Sequence, residues 1–341
     1  MTAHQEPAGA IGLPVVPVRG MTARVDAFQQ RHSTAAFPLA VVYKYFDDFG
    51  PYLAALLTYY AFVSLFPLLL LLSTILGYAL QGDPNLQHEI VQSALGQFPV
   101  IGDQLHDPRR LGGGATGLTI GIIGAVYGSL GIAQAIQYAM NTAWSVPRNN
   151  RPNPFRARGR SVLLVGMGGI ALFGTTAMSA VGTTDVGRFG SVLRISAVVV
   201  SVLVNAVVFV LAFRLATARH LTVRQVLPGA LVAAVAWQLL QLFGVPYVTS
   251  VIRHASATNG VFALVLGLLA FLYLASVAAV LSVEINVVRT DKLYPRALLT
   301  PFTDNVELTG SDRRAYRAQA KAQRAKGFQQ IDVRFDDRPD A

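Results

Sequence analysis

The stretch from Gly50 to Gln81 constrains this chain more than any other, because it has no charged side chain between Pro51 and Leu80. A helix rises about 1.5 Å per residue, so roughly 20 residues cross the hydrocarbon core of a bilayer. The stretch exceeds that length and predicts a transmembrane helix. Pro67 lies near its middle, where a proline removes a backbone hydrogen bond and kinks a helix.

The composition extends this prediction to the whole chain. Of its 341 residues, 53% are hydrophobic and 13% are charged, whereas a soluble protein usually carries about 25% charged residues. The apolar runs are continuous, unlike the alternating segments of about ten residues in a transmembrane β-barrel. We therefore predict an all-α polytopic membrane protein. The absence of cysteine excludes disulfides, thiolate metal sites and cysteine nucleophiles.

Five further apolar runs predict five more spans, which makes six transmembrane helices in all. These runs cover about residues 118–139, 161–181, 195–215, 226–248 and 261–283. Their length and the concentration of charges between them are typical of membrane-spanning helices.

Two segments outside the spans predict amphipathic helices at the membrane interface. In residues 33–49, apolar side chains fall at helical spacing, and Lys44, Asp47 and Asp48 lie mostly on the opposite face. The loop over about residues 81–117 carries a second apolar stripe. The membrane domain is thus predicted to cover residues 33–290.

The two ends of the chain are predicted to be cytoplasmic tails. Residues 1–32 are rich in Pro, Gly and Ala and predict a mostly disordered N-terminal tail. Residues 291–341 form a charged C-terminal tail, in which Ser311 could cap a helix. Polar residues surround that helix, which favours a solvated helix or disorder; docking to anionic lipid headgroups is the alternative.

The distribution of Lys and Arg predicts the orientation. The connection between spans two and three carries five basic residues, three lie around the connection between spans four and five (Arg214 at the end of span four is counted), and the tail after span six carries eleven. The other three connections carry two, two and one. Basic residues favour the cytoplasmic side. Both termini are therefore expected on the cytoplasmic side of the membrane.

Polar residues within the spans predict a cavity between the helices. Such groups are costly in lipid, so their positions are informative. Most fall in the cytoplasmic half, and we expect the cavity to open toward the cytoplasm or the inner leaflet. The alternative is that the amides join helices by hydrogen bonds worth about 0.6 kcal/mol each. The candidate lining residues are Tyr59, Tyr60, Pro67, Gln134, Gln137, Asn141, Asn205, Glu284 and Asn286.

Four segments together resemble the YihY/BrkB family of inner-membrane proteins. They are YYAFVSLFPLLLLL in span one, AMNTAWSVP after span two, RQVLPGALVAAVAWQLLQ in span five and FLYLASVAAVLSVEINV in span six. The resemblance covers about residues 35–290. The last segment departs from the usual Gly-Ala-Glu-Leu-Asn motif, because Glu284 and Asn286 are present but the small residues before Glu284 differ.

The resemblance implies a six-span inner-membrane protein with cytoplasmic ends and a role in envelope integrity, for which lipid transport has been proposed. The family's older label, ribonuclease BN, is widely regarded as a misassignment. The sequence also argues against it, because the six histidines are scattered without the spacing of metal ligands, and no carboxylate pair lies within the membrane.

Two functions therefore remain open from the sequence. The first is lipid handling or transport through the polar cavity. The second is a membrane scaffold that recruits other proteins through its interfacial helices and basic tail. We expect no enzymatic activity, cofactor, metal or nucleic acid. The expected partners are membrane lipids, together with a second copy of the chain or an envelope protein.

Overall fold

The computed structural model describes residues 20–79, 114–181, 190–244, 246–247, 250, 260–303 and 306–335. Within these ranges the fold is all-helical and no strand occurs, which confirms the all-α part of the predicted fold class. The longer helices are α1 (Met21–Arg31), α2 (Ser33–Asp47), α3 (Gly50–Ala79), α4 (Gly114–Ala143), α5 (Pro154–Val181), α6 (Gly190–Ala216), α7 (Val223–Leu239), α8 (Gly260–Thr290) and α9 (Gly310–Ala322).

Three helical segments in the described part of the chain are long and apolar enough to cross a membrane. They are Val198–Ala216, Val223–Gly244 and Phe262–Thr290, and they coincide with the last three predicted spans. The middle one contains α7 and a π-helical turn at Leu240–Gly244. Helices α3, α4 and α5 lie at the first three predicted spans. The predicted interfacial helix between α3 and α4 lies outside the described residues.

Helices α3 to α8 close into a ring in chain order. Each packs against the next, and α8 returns to pack against α3. Glycines allow the close approach of α3 and α4. A Cβ atom on Gly128 would lie 2.6 Å from the Ser64 Cα, and one on Gly131 would lie 2.4 Å from the Tyr60 Cδ1. Both distances are too short for any larger side chain.

Alternate connections of the ring meet on one side, which we call the tail side. The end of α4 contacts the segment after α6, where the Ala218 N–H donates to the Asn141 Oδ1 at 2.8 Å. The end of α8 contacts the start of α7 through Asn286 and Val226. Helices α1, α2 and α9 also lie on this side, and the Gln319 side chain of α9 donates to the Asp47 carbonyl at 2.6 Å.

Helix α2 turns its charged residues inward rather than outward, contrary to the prediction. Lys44 is 3% exposed and Asp48 is also buried, whereas Val42 and Phe46 are exposed. The physical reason is that α2 packs against α8, which supplies a buried carboxylate to the Lys44 ammonium. The helix therefore presents an apolar surface outward, as an interfacial helix in contact with lipid would.

The two tails are more ordered than the sequence indicates. Residues 21–31, predicted as part of a disordered tail, form α1. In the C-terminal tail, the cap of α9 is Thr309 and not Ser311. The Thr309 side chain accepts a hydrogen bond from the Asp312 N–H, and the Asp312 carboxylate accepts one from the Thr309 N–H. This reciprocal capping box fixes the start of the helix, and Ser311 is buried.

Arg296 joins the tails to α2. Its side chain is 1% exposed, and its Nε donates to the Asp312 Oδ1 at 2.6 Å. A second ion pair links it to Asp47. The Arg296 carbonyl accepts a hydrogen bond from the Gln29 side chain of α1. A buried arginine with two carboxylates thus holds α1, α2 and α9 together.

Candidate functional site

A pocket of about 360 Å³ lies between α3, α4 and the start of α5, on the tail side of the ring. It is open at the surface, since Gln134 is exposed and Tyr138 is 51% exposed. We call it the α3–α4 pocket. Its lining residues are Leu56, Tyr60, Gly131, Gln134, Ala135, Gln137, Tyr138, Asn141, Arg151, Pro152 and Ala157. A largely apolar wall with a few convergent polar groups is typical of ligand sites.

Two amides of the lining also join helices. The Gln137 Nε2 donates to the Ser161 Oγ at 2.9 Å and to the Ala157 carbonyl at 3.1 Å, which ties α4 to α5. Asn141 donates to the Gln137 carbonyl at 2.7 Å and accepts from Ala218. The bonds to Ser161 and Ala218 link α4 to other parts of the ring, as the alternative interpretation of the amides in the spans expected. They also give the pocket a rigid polar wall.

Arg151 supplies the positive charge of the pocket wall. It is half-buried, and its Nε donates to the Val146 carbonyl at 3.2 Å. Its guanidinium lies over the Tyr138 ring, 5.5 Å from the centroid. Burial lowers the pKa of Arg151, and the nearby Arg148 lowers it further, whereas Tyr138 raises it. No carboxylate in the described ranges forms an ion pair with Arg151, so its charge is available to an anionic ligand.

The predicted cavity residues do not all meet at this pocket. Tyr60, Gln134, Gln137 and Asn141 line it. The neighbouring Tyr59 lies outside the lining and is 60% exposed.

Asn205, Glu284 and Asn286 belong to other parts of the ring. Asn205 is half-buried on α6, away from the pocket lining. The structure does not describe the side chain of Pro67, but α3 is helical through this position. Four of the nine candidates thus line one pocket, and Glu284 and Asn286 lie together elsewhere, on α8.

Glu284 lies in a second, fully buried cluster with two residues from α2 and its C-terminal end. Its Oε2 is 3.9 Å from the Lys44 Nζ. Lys44 also forms an ion pair with Asp48 and donates to the Ala143 carbonyl at 3.1 Å. Burial lowers the pKa of Lys44, but Glu284 and Asp48 raise it by more. Sequence reasoning missed Lys44 and Asp48, because it placed both on a solvent-exposed face.

Asn286 has a structural role at the start of α7. Its Nδ2 donates to the Val226 carbonyl at 3.1 Å, and its Oδ1 accepts from the Gly229 N–H. Pro228 in the same turn has no N–H, which leaves the Arg224 carbonyl without its helical donor. Arg289 of α8 donates to that carbonyl at 3.3 Å. Asn286 and Arg289 thus satisfy the backbone of a proline-containing turn.

The sequence of this chain matches a known protein family and a known relative. Residues 41–304 match the family model described as Virulence factor BrkB, a range that includes α3 to α8 and both clusters around Arg151 and Glu284. The chain is 28% identical over 257 residues to the ribonuclease-like protein YfkH of Bacillus subtilis (strain 168). That match covers 68% of this chain and 87% of YfkH. No solved structure matches.

Proposed function

Because this chain belongs to the Virulence factor BrkB family, we propose that it is a six-span bacterial inner-membrane protein that binds anionic lipid headgroups in the α3–α4 pocket. Family membership and the apolar helices make it a membrane protein. We place the tail side in the cytoplasm, because the basic connections lie there. Through its handling of lipids, the protein contributes to envelope integrity.

The observation that carries this proposal is the half-buried Arg151 in the wall of a pocket between membrane helices, where no carboxylate of the described ranges pairs with it. A guanidinium binds phosphate oxygens through two parallel hydrogen bonds. Leu56 and Ala135 supply apolar surface for the start of an acyl chain. Gln134 adds an exposed amide that can donate to a headgroup oxygen. This combination fits an amphiphile with an anionic head.

We propose a binding and transfer role rather than a catalytic one. Within the described residues no group of three His, Asp or Glu side chains is placed as metal ligands are. The word ribonuclease in the name of YfkH belongs to that protein. The pocket of this chain offers one cation, amides and tyrosines, which suit recognition of a headgroup.

A scaffold role is the second candidate, and one surface favours it. A pocket of about 560 Å³ lies between the C-terminal tail and Pro147, and Lys321 and Arg324 contribute to its wall. Arg324 also donates to the Asn149 Oδ1 at 3.1 Å, which fixes the tail against the α4–α5 connection. A partner protein could bind this surface without any lipid movement.

The test compares Arg151→Gln with Arg158→Gln. Arg158 is an exposed arginine in the first turns of α5 and is not part of the lining. Purified full-length proteins are placed in vesicles of phosphatidylglycerol and phosphatidylethanolamine, and movement of labelled phosphatidylglycerol between leaflets is measured. Lipids that co-purify are identified by mass spectrometry.

We expect wild type and Arg158→Gln to retain and move phosphatidylglycerol. Arg151→Gln should bind it about tenfold to a hundredfold more weakly and so retain less, since a charge-assisted hydrogen bond is worth about 1.5–3 kcal/mol. Equal retention by the two variants would reject Arg151 as the headgroup ligand. If wild type neither retains nor moves lipid, the scaffold role is favoured.

A further inference from the structure

Glu284 is a buried carboxylate to which no described residue donates a hydrogen bond. Its exposure is 0%, and neither oxygen has a partner among the described residues. The nearest ammonium, on Lys44, is 3.9 Å from the Oε2, but it is already bound to Asp48 and to the Ala143 carbonyl. One cation therefore faces two carboxylates in a buried site.

The charged groups that act on Glu284 come from α2 and its C-terminal end. They are Lys44, Asp48 and Asp47, and the last of these is held by Arg296. On the side of α7, the neighbouring contact is the uncharged pair of Asn286 and Gly229. If every group of the Lys44–Asp48–Glu284 cluster were ionised, the cluster would carry one uncompensated negative charge. Burial of such a charge is costly, and a proton removes that cost.

We propose that Asp48 and Glu284 share one exchangeable proton, which makes this cluster a proton-binding site. The proton bonds to a carboxyl oxygen of one residue and is stabilised by the carboxylate of the other, while Lys44 balances the remaining charge. It is taken up from water at low pH and released to water at high pH. Burial also raises the pKa of Asp48, and the Lys44 ammonium opposes this effect.

The site has a physical connection to the α3–α4 pocket. Lys44 holds the Ala143 carbonyl at the end of α4, two residues beyond Asn141 in the pocket lining. A change in the charge of the cluster alters the position that Lys44 prefers, and so acts on the end of α4. Where the proposed lipid handling holds, the site provides a way for a proton gradient to drive it.

Infrared difference spectroscopy tests the proton directly. Purified full-length protein in lipid nanodiscs is measured across a pH series, and the stretching band of a protonated carboxyl group is followed. We expect wild type to show a band that disappears as the pH rises and that is missing in Glu284→Gln. Asp332→Asn, at an exposed position, should keep the band.

The proposal is overturned if wild type lacks such a band, or if the band is unchanged in both Glu284→Gln and Asp48→Asn. Asp48→Asn provides the same readout if Glu284→Gln does not fold, because it removes the other carboxyl of the pair. Since the infrared measurement needs no lipid movement, its result decides the proton site even where the lipid proposal fails. A vesicle assay with an imposed pH gradient then tests the coupling, which Glu284→Gln should abolish.

Discussion

Asn286 binds the backbone of Gly229: its Oδ1 accepts a hydrogen bond from the Gly229 N–H at 2.7 Å. The contact depends on glycine, because a Cβ atom there would lie 1.9 Å from the Ser282 carbonyl oxygen and 2.5 Å from the Asn286 Nδ2. Helices α7 and α8 therefore touch backbone to backbone. Two of the four segments that carry the family resemblance meet at this contact.

Gly229→Ala should destabilise the protein. The added methyl group meets the backbone of α8, which cannot move without separating two packed helices, and overpacking of this kind typically costs about 1–3 kcal/mol. Thermal unfolding in detergent, followed by circular dichroism, measures the effect. Gly166→Ala is the matched control, since a Cβ atom there would have no neighbour within 4 Å in the described part of the chain. A control variant as unstable as Gly229→Ala would contradict the steric explanation.

Arg296→Met should release the C-terminal tail. The change leaves the carboxylates of Asp47 and Asp312 without their cation, and removal of one partner from a buried ion pair typically costs about 3–5 kcal/mol. Hydrogen exchange measured by mass spectrometry should show loss of protection in α9 and α1. Arg334→Met, in a pair whose side chains are 87% and 76% exposed, should leave protection unchanged.

Arg151→Lys should retain anionic lipid more weakly than wild type and more strongly than Arg151→Gln. Lysine keeps the charge, but its ammonium is a point donor and cannot form the parallel pair of hydrogen bonds that a guanidinium offers to phosphate. Mass spectrometry of co-purified phosphatidylglycerol measures the order of the three proteins. Retention equal to wild type would show that charge alone is recognised.

The stability contributed by Asp48 should fall as the pH rises. Burial raises its folded pKa above the ordinary value of 3.8, so the folded state binds more protons than the unfolded state in the interval between the two pKa values. That contribution is complete below the unfolded pKa and is lost through the folded pKa. The melting temperature of wild type should therefore fall relative to that of Asp48→Asn as the pH rises through this interval. Parallel curves would contradict the assignment.

The helical framework follows from the sequence because it depends on local hydrophobicity. The uncharged run after Gly50 and the later apolar runs coincide with α3 to α8. Spacing along α4 also indicates that Gln137 and Asn141 share a face, and both line one pocket. These features need only helical periodicity and the cost of polar groups in lipid.

The surroundings of individual residues could not be obtained in this way, because they depend on contacts between distant segments. Lys44 falls on the polar face of its own helix, and only α8, about 240 residues later in the chain, makes that face the buried one. From the sequence, Arg151 is interpreted only as a determinant of orientation. In the structure it packs over the Tyr138 ring in a pocket wall. The consecutive acidic residues Asp47 and Asp48, close to the start of the first apolar run, were the available signal for the buried cluster.

The hydrogen bonds between α1 and the segment after α8 matter for the design of truncated or labelled variants. The Gln29 side chain donates to the Arg296 carbonyl at 2.5 Å, and the Leu298 N–H donates to the Asp26 carboxylate at 2.9 Å. Deletion of everything after the last membrane helix would therefore also free the opposite terminus and expose Asp47. A fluorescent reporter pair with one dye on each end would register separation of the tails as a loss of energy transfer, in intact membranes and without purification.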